Sequence, residues 1–398
     1  MTLLSSLAEK ETWEAYYRYK SSLCLPEKDL KGLRDLIDRE AYLPVVREIL
    51  SMAPSPLPER TVISKQSTGK KRIVYTYPPL FNTVMKVLTY LCLRKYDHLF
   101  DPGLYSFRPG RSAKDAMFYL SHIRGIREKY AYKADVSNYF NSIPIPSLLP
   151  LLEEVLSDDP ELYRYLSSLL TEPRVLWEGK ELCEEKGIMA GTPLSAFYAN
   201  LYLRQLDQLF HEKRIPYARY SDDIIVFEDS QEALQKDVSM IRSFLKDHGL
   251  SLNPAKENIS APEDGWVFLG FFYKQGTIDI APANITKLKA KMRRKTRALT
   301  RWSRRNGIPG EKAAKAFIRI FNRKLLYSAK DNDLTWSYWF FPVINTTDSL
   351  HIIDRYAQDC IRSLVWGSHT KGRFRLSYQE MKNMGYLNLV HEYYKIRQ

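Results

Sequence analysis

Two adjacent carboxylates, Asp222 and Asp223, stand directly ahead of the apolar run Ile224-Ile225-Val226-Phe227 and behind Arg219-Tyr220-Ser221. Four such residues in a row read as a buried strand, and ionised acids beside a buried strand need compensation. A hairpin turn can hold both acids at the surface of a sheet. A divalent cation is one form the compensation takes, because Mg2+ accepts carboxylate oxygens while keeping positions open for substrate phosphates. An Asx-rich turn with no ligand would satisfy the same local pattern.

Asp135 repeats the arrangement. It ends the strand-like segment Tyr130-Ala131-Tyr132-Lys133-Ala134 and precedes the aromatic pair Tyr139-Phe140. If the two strand ends are neighbours in one sheet, three carboxylates converge on a site able to hold two metals about 3.5–4 Å apart, the geometry of in-line phosphoryl transfer. Between these acids lies Gly187-Ile188-Met189-Ala190-Gly191-Thr192-Pro193-Leu194-Ser195, leading into Ala196–Leu203. Thr192 can cap that helix and Pro193 suits its first position. The glycines either let the backbone approach a nucleotide or simply admit a loop to a core helix. Leu194, Phe197, Tyr198 and Leu201 read as core.

The rest of the chain reads as a non-repetitive α+β architecture. Residues 1–60 look mainly helical until Pro54-Ser55-Pro56-Leu57-Pro58 breaks the pattern. Thr61–Ser64 and Arg72–Tyr77 flank Gly69-Lys70-Lys71 as a hairpin with a basic tip, and a helix runs from Pro78-Pro79 to about Phe100. From 130 to 275 the expected order is strand, helix, helix, hairpin, helix, strand. From Ile285 a helix carries Ile285, Leu288, Met292, Leu299 and Trp302 on one stripe. Ten Lys/Arg and no acid fall between Lys287 and Arg305, a pattern that suits either a solvated face or contact with phosphates.

Lys and Arg total 60 against 46 Asp and Glu, a formal charge of +14 that favours an anionic partner, nucleic acid or an acidic membrane surface. No stretch approaches 18 uninterrupted apolar residues and no basic leader precedes one, so a soluble cytoplasmic protein without a membrane segment is expected. Cys24, Cys92, Cys183 and Cys360 lie far apart without a His at ligand spacing, which argues against zinc and disulfides.

In order and spacing, the blocks over roughly residues 60–330 resemble those of reverse transcriptases. Lys133–Phe140 looks like the first palm block, Gly191–Ser195 the second and Tyr220–Asp223 the third; Leu250–Lys256 resembles the next, and Phe268-Leu269-Gly270 the primer grip. Gly69–Arg72 and Ser106-Phe107-Arg108-Pro109-Gly110-Arg111-Ser112 resemble finger blocks of group II intron, retron and related bacterial enzymes. The second block departs from many relatives in lacking Gln, with Lys186-Gly187 in that neighbourhood.

The resemblance implies a right-hand polymerase: a helical extension over 1–60, fingers over 61–130, an antiparallel palm over 131–275, a basic helical thumb over 276–335 and a helical C-terminal region over 336–398. It implies catalysis by Asp135, Asp222, Asp223 and Lys256, with two Mg2+ ions, or Mn2+ in their place, held by the three acids and Val136. Lys65, Lys71, Arg72, Phe140, Gly191 and Pro193 would bind the deoxynucleoside triphosphate. Phe140 would exclude the ribose 2′-hydroxyl, with Tyr139 as the alternative. Arg108, Arg111, Lys287, Arg293, Arg294 and Arg301 would grip nucleic acid. No endonuclease signature or paired zinc cysteines follow the thumb, and the tail Ser377–Tyr386 is similar to that of stand-alone, defence-associated bacterial enzymes. Such an enzyme would copy a structured non-coding RNA into cDNA in a prokaryotic cytoplasm and act against phage. Two other readings stay open: a polymerase body that only binds RNA or assists splicing, and template-independent or protein-primed DNA synthesis.

Overall fold

The computed structural model describes residues 2–23, 26–64, 71–184, 187–326, 336–366 and 375–397. The tip of the first hairpin, with Lys65, Gly69 and Lys70, therefore lies outside the described residues, as do Cys24 and Lys186. The chain divides into two compact units, residues 1–23 with 28–264 and residues 24–27 with 265–398.

The first unit opens with helices α1 (Leu3–Ser6), α2 (Lys10–Ser22), α3 (Glu27–Asp38) and α4 (Leu43–Leu50). Buried Asp159 ties the start of the chain down: its carboxylate accepts from Thr2 Oγ1 at 2.5 Å and from the Leu3 amide at 2.8 Å, while also capping Leu162 at 3.2 Å. The extended, proline-rich segment then feeds β1 (Glu59–Ser64), which pairs antiparallel with β2 (Lys71–Thr76). Helices α5 (Pro79–Lys95) and α6 (Ala113–Ser121) lead to β3 (Tyr130–Asp135), followed by α7 (Ile145–Val155) and α8 (Pro160–Thr171).

A hairpin comes next, β4 (Arg174–Trp177) and β5 (Lys180–Cys183). It extends the first sheet to the order β2-β1-β4-β5 through a parallel pairing of Glu59 with Leu176. Its strands are four residues long and β5 is exposed throughout, so neither length nor alternation marks them; the Glu178-Gly179 turn, with φ of 51° and 78°, is the one local signal. Helices α9 (Ser195–Tyr202) and α10 (Arg204–Glu212), strands β6 (Tyr217–Tyr220) and β7 (Asp223–Glu228), helix α11 (Gln231–Asp247) and strand β8 (Asn258–Ser260) complete the unit.

The central sheet has the order β6-β7-β3-β8, all antiparallel. Ile224, Ile225, Val226 and Phe227 are each fully buried, which is why β7 reads as an unbroken apolar run rather than an alternating one. Leu194, Phe197, Tyr198 and Leu201 are buried in the same core, as their pattern predicts.

The second unit begins with a three-stranded meander of β9 (Trp266–Phe268), β10 (Phe271–Lys274) and β11 (Thr277–Ile280). Leu269-Gly270 and Gln275-Gly276 make its turns with positive φ at both positions, as type I′ hairpin turns require. Helices α12 (Pro282–Arg305), α13 (Gly310–Leu325), α14 (Trp336–Phe340), α15 (Asp348–Trp366), α16 (Tyr378–Asn383) and α17 (Leu389–Arg397) follow. The seam of α12 is Met292, Thr296 and Leu299; Trp302, expected on it, is 42% exposed. A helix of 3.6 residues per turn carries the 292–296–299 line on to Ser303, which leaves Trp302 beside it. Among the described residues no helix is long and apolar enough to cross a membrane.

Candidate active site

Antiparallel register places Asp135, the last residue of β3, opposite Asp223, the first of β7. Tyr220 pairs with Asp223 across β6 and β7, so Ser221-Asp222 is a two-residue hairpin turn, entered with Ser221 at φ 60°. The Val136 amide donates to the Asp222 carbonyl at 3.0 Å, laying the turn over the end of β3, and the Asn253 amide donates to the Asp135 carbonyl at 2.8 Å. Oxygens of Asp135, Asp222 and Asp223 lie within 4.8 Å of one another. Val136 has a buried aliphatic side chain, which leaves its carbonyl oxygen as the one group it could offer a cation.

Three carboxylates this close repel. Burial, reinforced by Asp223 and Asp135, pushes the Asp222 carboxyl up to about 6. Burial also raises Asp223, against the pull of the Lys133 ammonium 3.3 Å away. Lys256 reaches back from an exposed turn to form an ion pair with Asp135. Two lysines thus partly balance three acids, leaving converged, incompletely neutralised hard oxygen donors of the kind that could hold a divalent cation.

Beneath the acidic turn runs a buried polar network; Ser106, Arg219 and Ser221 stand in or beside the motif blocks, but their partners Asn200 and Asp207 are not singled out as polar partners by the sequence. The Ser221 amide donates to Ser106 Oγ at 2.8 Å, and Ser106 Oγ donates to Asn200 Oδ1 at 3.1 Å. Arg219, fully buried, donates through Nη1 to the Ser221 carbonyl at 3.2 Å and through Nη2 to the Asn200 carbonyl at 3.2 Å. Its charge is met by Asp207, also fully buried, which accepts from Tyr217 Oη as well. The loop carrying Ser106 is itself strapped to β6: the Arg219 amide donates to the Gly103 carbonyl and the Tyr105 amide to the Arg219 carbonyl, at 2.9 and 3.0 Å. An Arg and an Asp twelve positions apart at the edges of apolar segments were the available signal.

The glycine-rich loop serves the interior. A Cβ on Gly187 would lie 2.4 Å from the Asn141 Cα, and one on Gly191 would lie 2.9 Å from the Tyr75 carbonyl oxygen. Those close approaches allow the Tyr75 amide to donate to the Ala190 carbonyl and the Ile188 amide to the Phe140 carbonyl, both at 2.8 Å. Asn141 joins the same seam, accepting from the Ala190 amide at 3.0 Å. Thr192 does not cap α9: its hydroxyl donates to the Met189 carbonyl at 2.9 Å, the helix begins at Ser195, and Pro193 precedes it. Thr192 lies three positions ahead of Ser195, and Leu194 holds the cap position instead.

Phe140 is half-buried, its ring meeting Phe107 edge-on at 6.4 Å between centroids. Tyr139 is a core residue whose hydroxyl donates to the Ala199 carbonyl at 2.5 Å. Arg108 turns inward: its side chain is 6% exposed, pairs with Asp97 at 2.7 Å and donates to the Asp101 and Leu104 carbonyls, bracing its own loop instead of facing solvent. Arg111 donates to the Pro102 carbonyl at 3.1 Å. Lys71 and Arg72 are exposed on β2, while Lys65 lies outside the described residues. Lys287, Arg293, Arg294 and Arg301 are exposed on α12, in the second unit.

An antiparallel sheet that presents three carboxylates from the ends of adjacent strands offers a divalent cation the hard oxygen donors it takes. Residues 63–273 match the family described as reverse transcriptase (RNA-dependent DNA polymerase), and the chain belongs to that family. It is 26% identical over 175 residues to an uncharacterised 91 kDa protein in the cob intron of Schizosaccharomyces pombe, covering 44% of this chain and 21% of that protein. It is 23% identical over 268 residues to Protein YkfC of Escherichia coli, covering 56% and 68%. With the retrovirus-related Pol polyprotein from the type-1 retrotransposable element R2 of Popillia japonica the identity is 25% over 158 residues, covering 36% and 22%. The chain thus spans about a fifth of the length of two of these relatives. Among solved structures, it is similar to telomerase from Candida albicans in complex with a TWJ fragment of telomeric RNA, with a TM-score of 0.47 at 12% identity, covering 89% of this chain and 71% of that one. Apo telomerase from Candida tropicalis gives 0.46 at 12%, covering 56% and 55%.

Proposed function

We propose that the protein is an RNA-directed DNA polymerase whose reaction centre is the triad Asp135, Asp222 and Asp223. The observation that carries this reading is the convergence of the three carboxylates, within 4.8 Å, on the ends of paired strands inside the region that matches the reverse transcriptase family. The donor set fits two Mg2+ ions, which when bound would activate a primer 3′-hydroxyl and neutralise the triphosphate. The residues have distinct tasks. Asp135 is held by a buried main chain and by Lys256; Asp222 rides on the braced turn; Asp223 begins β7 against Lys133. On substrate binding Lys256 is free to leave Asp135 for the departing pyrophosphate, since half of its side chain is exposed. Phe140 would stand against a ribose 2′-hydroxyl, and Lys71 and Arg72 would meet the triphosphate.

In this reading residues 61–130 are fingers, 131–275 palm and 276–335 thumb. The template is a structured non-coding RNA and the product cDNA, made in a bacterial cytoplasm as part of antiphage defence. Resemblance of the motif blocks to bacterial enzymes and similarity to Protein YkfC support the lineage; the defence role rests on the resemblance. Primer extension on RNA with deoxynucleotides and Mg2+ tests the chemistry: Asp135→Asn and Asp222→Asn proteins lose activity by orders of magnitude, and full activity in both would reject the reading. Sequencing the RNA bound in the native host together with the cDNA tests the template.

A further inference from the structure

Phe140 sits between two anchored neighbours. The Tyr139 hydroxyl donates to the Ala199 carbonyl on α9, and the Phe140 carbonyl itself accepts from the Ile188 amide at 2.8 Å. Asn141 holds the other side with both ends of its side-chain amide: Oδ1 accepts from the Ala190 amide at 3.0 Å, and Nδ2 donates to the Ile73 carbonyl at 3.4 Å. These partners fix the amide's orientation, since a flipped side chain would set donor against donor and acceptor against acceptor. Ala190 is thereby clamped twice, its N–H on Asn141 and its carbonyl on the Tyr75 amide at 2.8 Å. One side chain ties together the turn that carries Phe140, the glycine-rich loop and β2, where Ile73 directly follows Lys71 and Arg72. Space favours a short amide there, because Gly187 packs so closely that a Cβ on it would collide with the Asn141 main chain. An Asp would keep the acceptor for Ala190 but turn a carboxylate toward the Ile73 carbonyl.

We propose that Asn141 is a positioning residue for sugar selection, holding Phe140 in a fixed place relative to the cations of β2 and so setting how sharply the site rejects a ribonucleotide. The inference rests on the polymerase reading, with Phe140 as the gate and Lys71 and Arg72 at the triphosphate, and deepens it. A ribose differs from a deoxyribose by one oxygen atom, so the clash that separates them depends on the exact place of the ring; a misplacement of about 1 Å is enough to change rates about 10²-fold. The acids hold their places through other bonds, the Asn253 amide on the Asp135 carbonyl and the Val136 amide on the Asp222 carbonyl. Loss of Asn141 therefore acts on selection more than on turnover.

The test is single-nucleotide incorporation by the full chain on a primed RNA template with Mg2+, giving kcat and KM for a deoxynucleotide and for the matching ribonucleotide. Asn141→Ala is expected to lower the ratio of the two kcat/KM values about tenfold or more, while kcat for the deoxynucleotide falls about threefold or less. Asn141→Asp, which keeps the acceptor for the Ala190 amide, should retain more of the ratio than Asn141→Ala. In a Phe140→Ala background, where the gate is gone, Asn141→Ala should change the ratio by less than about twofold. An unchanged ratio in Asn141→Ala, with both substrates slowed alike, is the mark of a structural role alone and overturns the proposal. Losses that multiply in the double variant also overturn it, because they put the effect of Asn141 outside Phe140. Where circular dichroism shows that Asn141→Ala does not fold, Asn141→Ser carries the same comparisons. An unchanged ratio in Phe140→Ala removes the gate and this role with it, whereas the Asp222→Asn extension assay decides the polymerase reading separately.

Discussion

Arg219 and Asp207 form a fully buried ion pair under the acidic turn, with Nε to Oδ1 at 2.7 Å and Nη2 to Oδ2 at 2.6 Å. The same guanidinium holds the Ser221 and Asn200 carbonyls, so the buried pair braces the turn that carries Asp222. Removing one partner strands the other charge in the core. Asp207→Ala is expected to destabilise the protein by about 3–5 kcal/mol, read as a lower urea midpoint. Ser106→Ala, which removes the acceptor for the Ser221 amide and the donor to Asn200 Oδ1, should cost about 1–3 kcal/mol and lower kcat more than it raises KM.

The raised Asp222 carboxyl makes stability depend on pH with a definite sign. Its folded pKa, about 6, lies above the ordinary value of 3.8, so the folded state holds the proton more tightly. The associated stability is present below about pH 4 and is lost as pH rises through 6. At pH 8 the ion-free Asp222→Asn protein should therefore unfold at a higher temperature than the parent, by the equivalent of about 1–2 kcal/mol, and the difference should vanish near pH 4. Mg2+ should raise the parent's melting temperature more than the variant's. Calorimetry at pH 4, 6 and 8 with and without the ion checks all three.

Lys256 neutralises Asp135 when no metal is bound, and so competes with it. Lys256→Met is expected to tighten Mn2+ binding by roughly 1.4- to fivefold, equivalent to about 0.2–1 kcal/mol for a pair whose lysine is half exposed, while slowing nucleotide incorporation. Isothermal titration and single-turnover extension give the two numbers. Tighter metal binding with undiminished turnover would remove Lys256 from the reaction.

Gly187 has φ 89° and no room for a side chain beside Asn141, whereas Gly110, with φ 66°, has open space around it. Gly187→Ala combines backbone strain with a steric clash and should destabilise by about 2–4 kcal/mol; Gly110→Ala carries the left-handed penalty alone, about 1 kcal/mol. Denaturant unfolding of the two variants side by side separates crowding from conformation.

The strand assignments around 130–135 and 224–227, the helical N-terminal region, the basic helix and the residue types of the triad were legible in the chain, because apolar runs and charge patterns are local properties. The convergence of the triad was only conditional there: Asp135 and Asp223 are 88 positions apart, and their meeting depends on the antiparallel register of β3 with β7. Several local readings yielded to tertiary demands. Thr192 fell ahead of the helix it was expected to cap, Trp302 fell beside the seam, and Arg108 turned inward to Asp97. The β4–β5 hairpin, with a fully exposed second strand, had no apolar alternation to show. Residue types alone thus determined that acids, strands and a basic helix exist. Register, burial and the partners available to each polar group decided which of them meet, since hydrogen-bond and charge compensation are settled between segments distant in the chain.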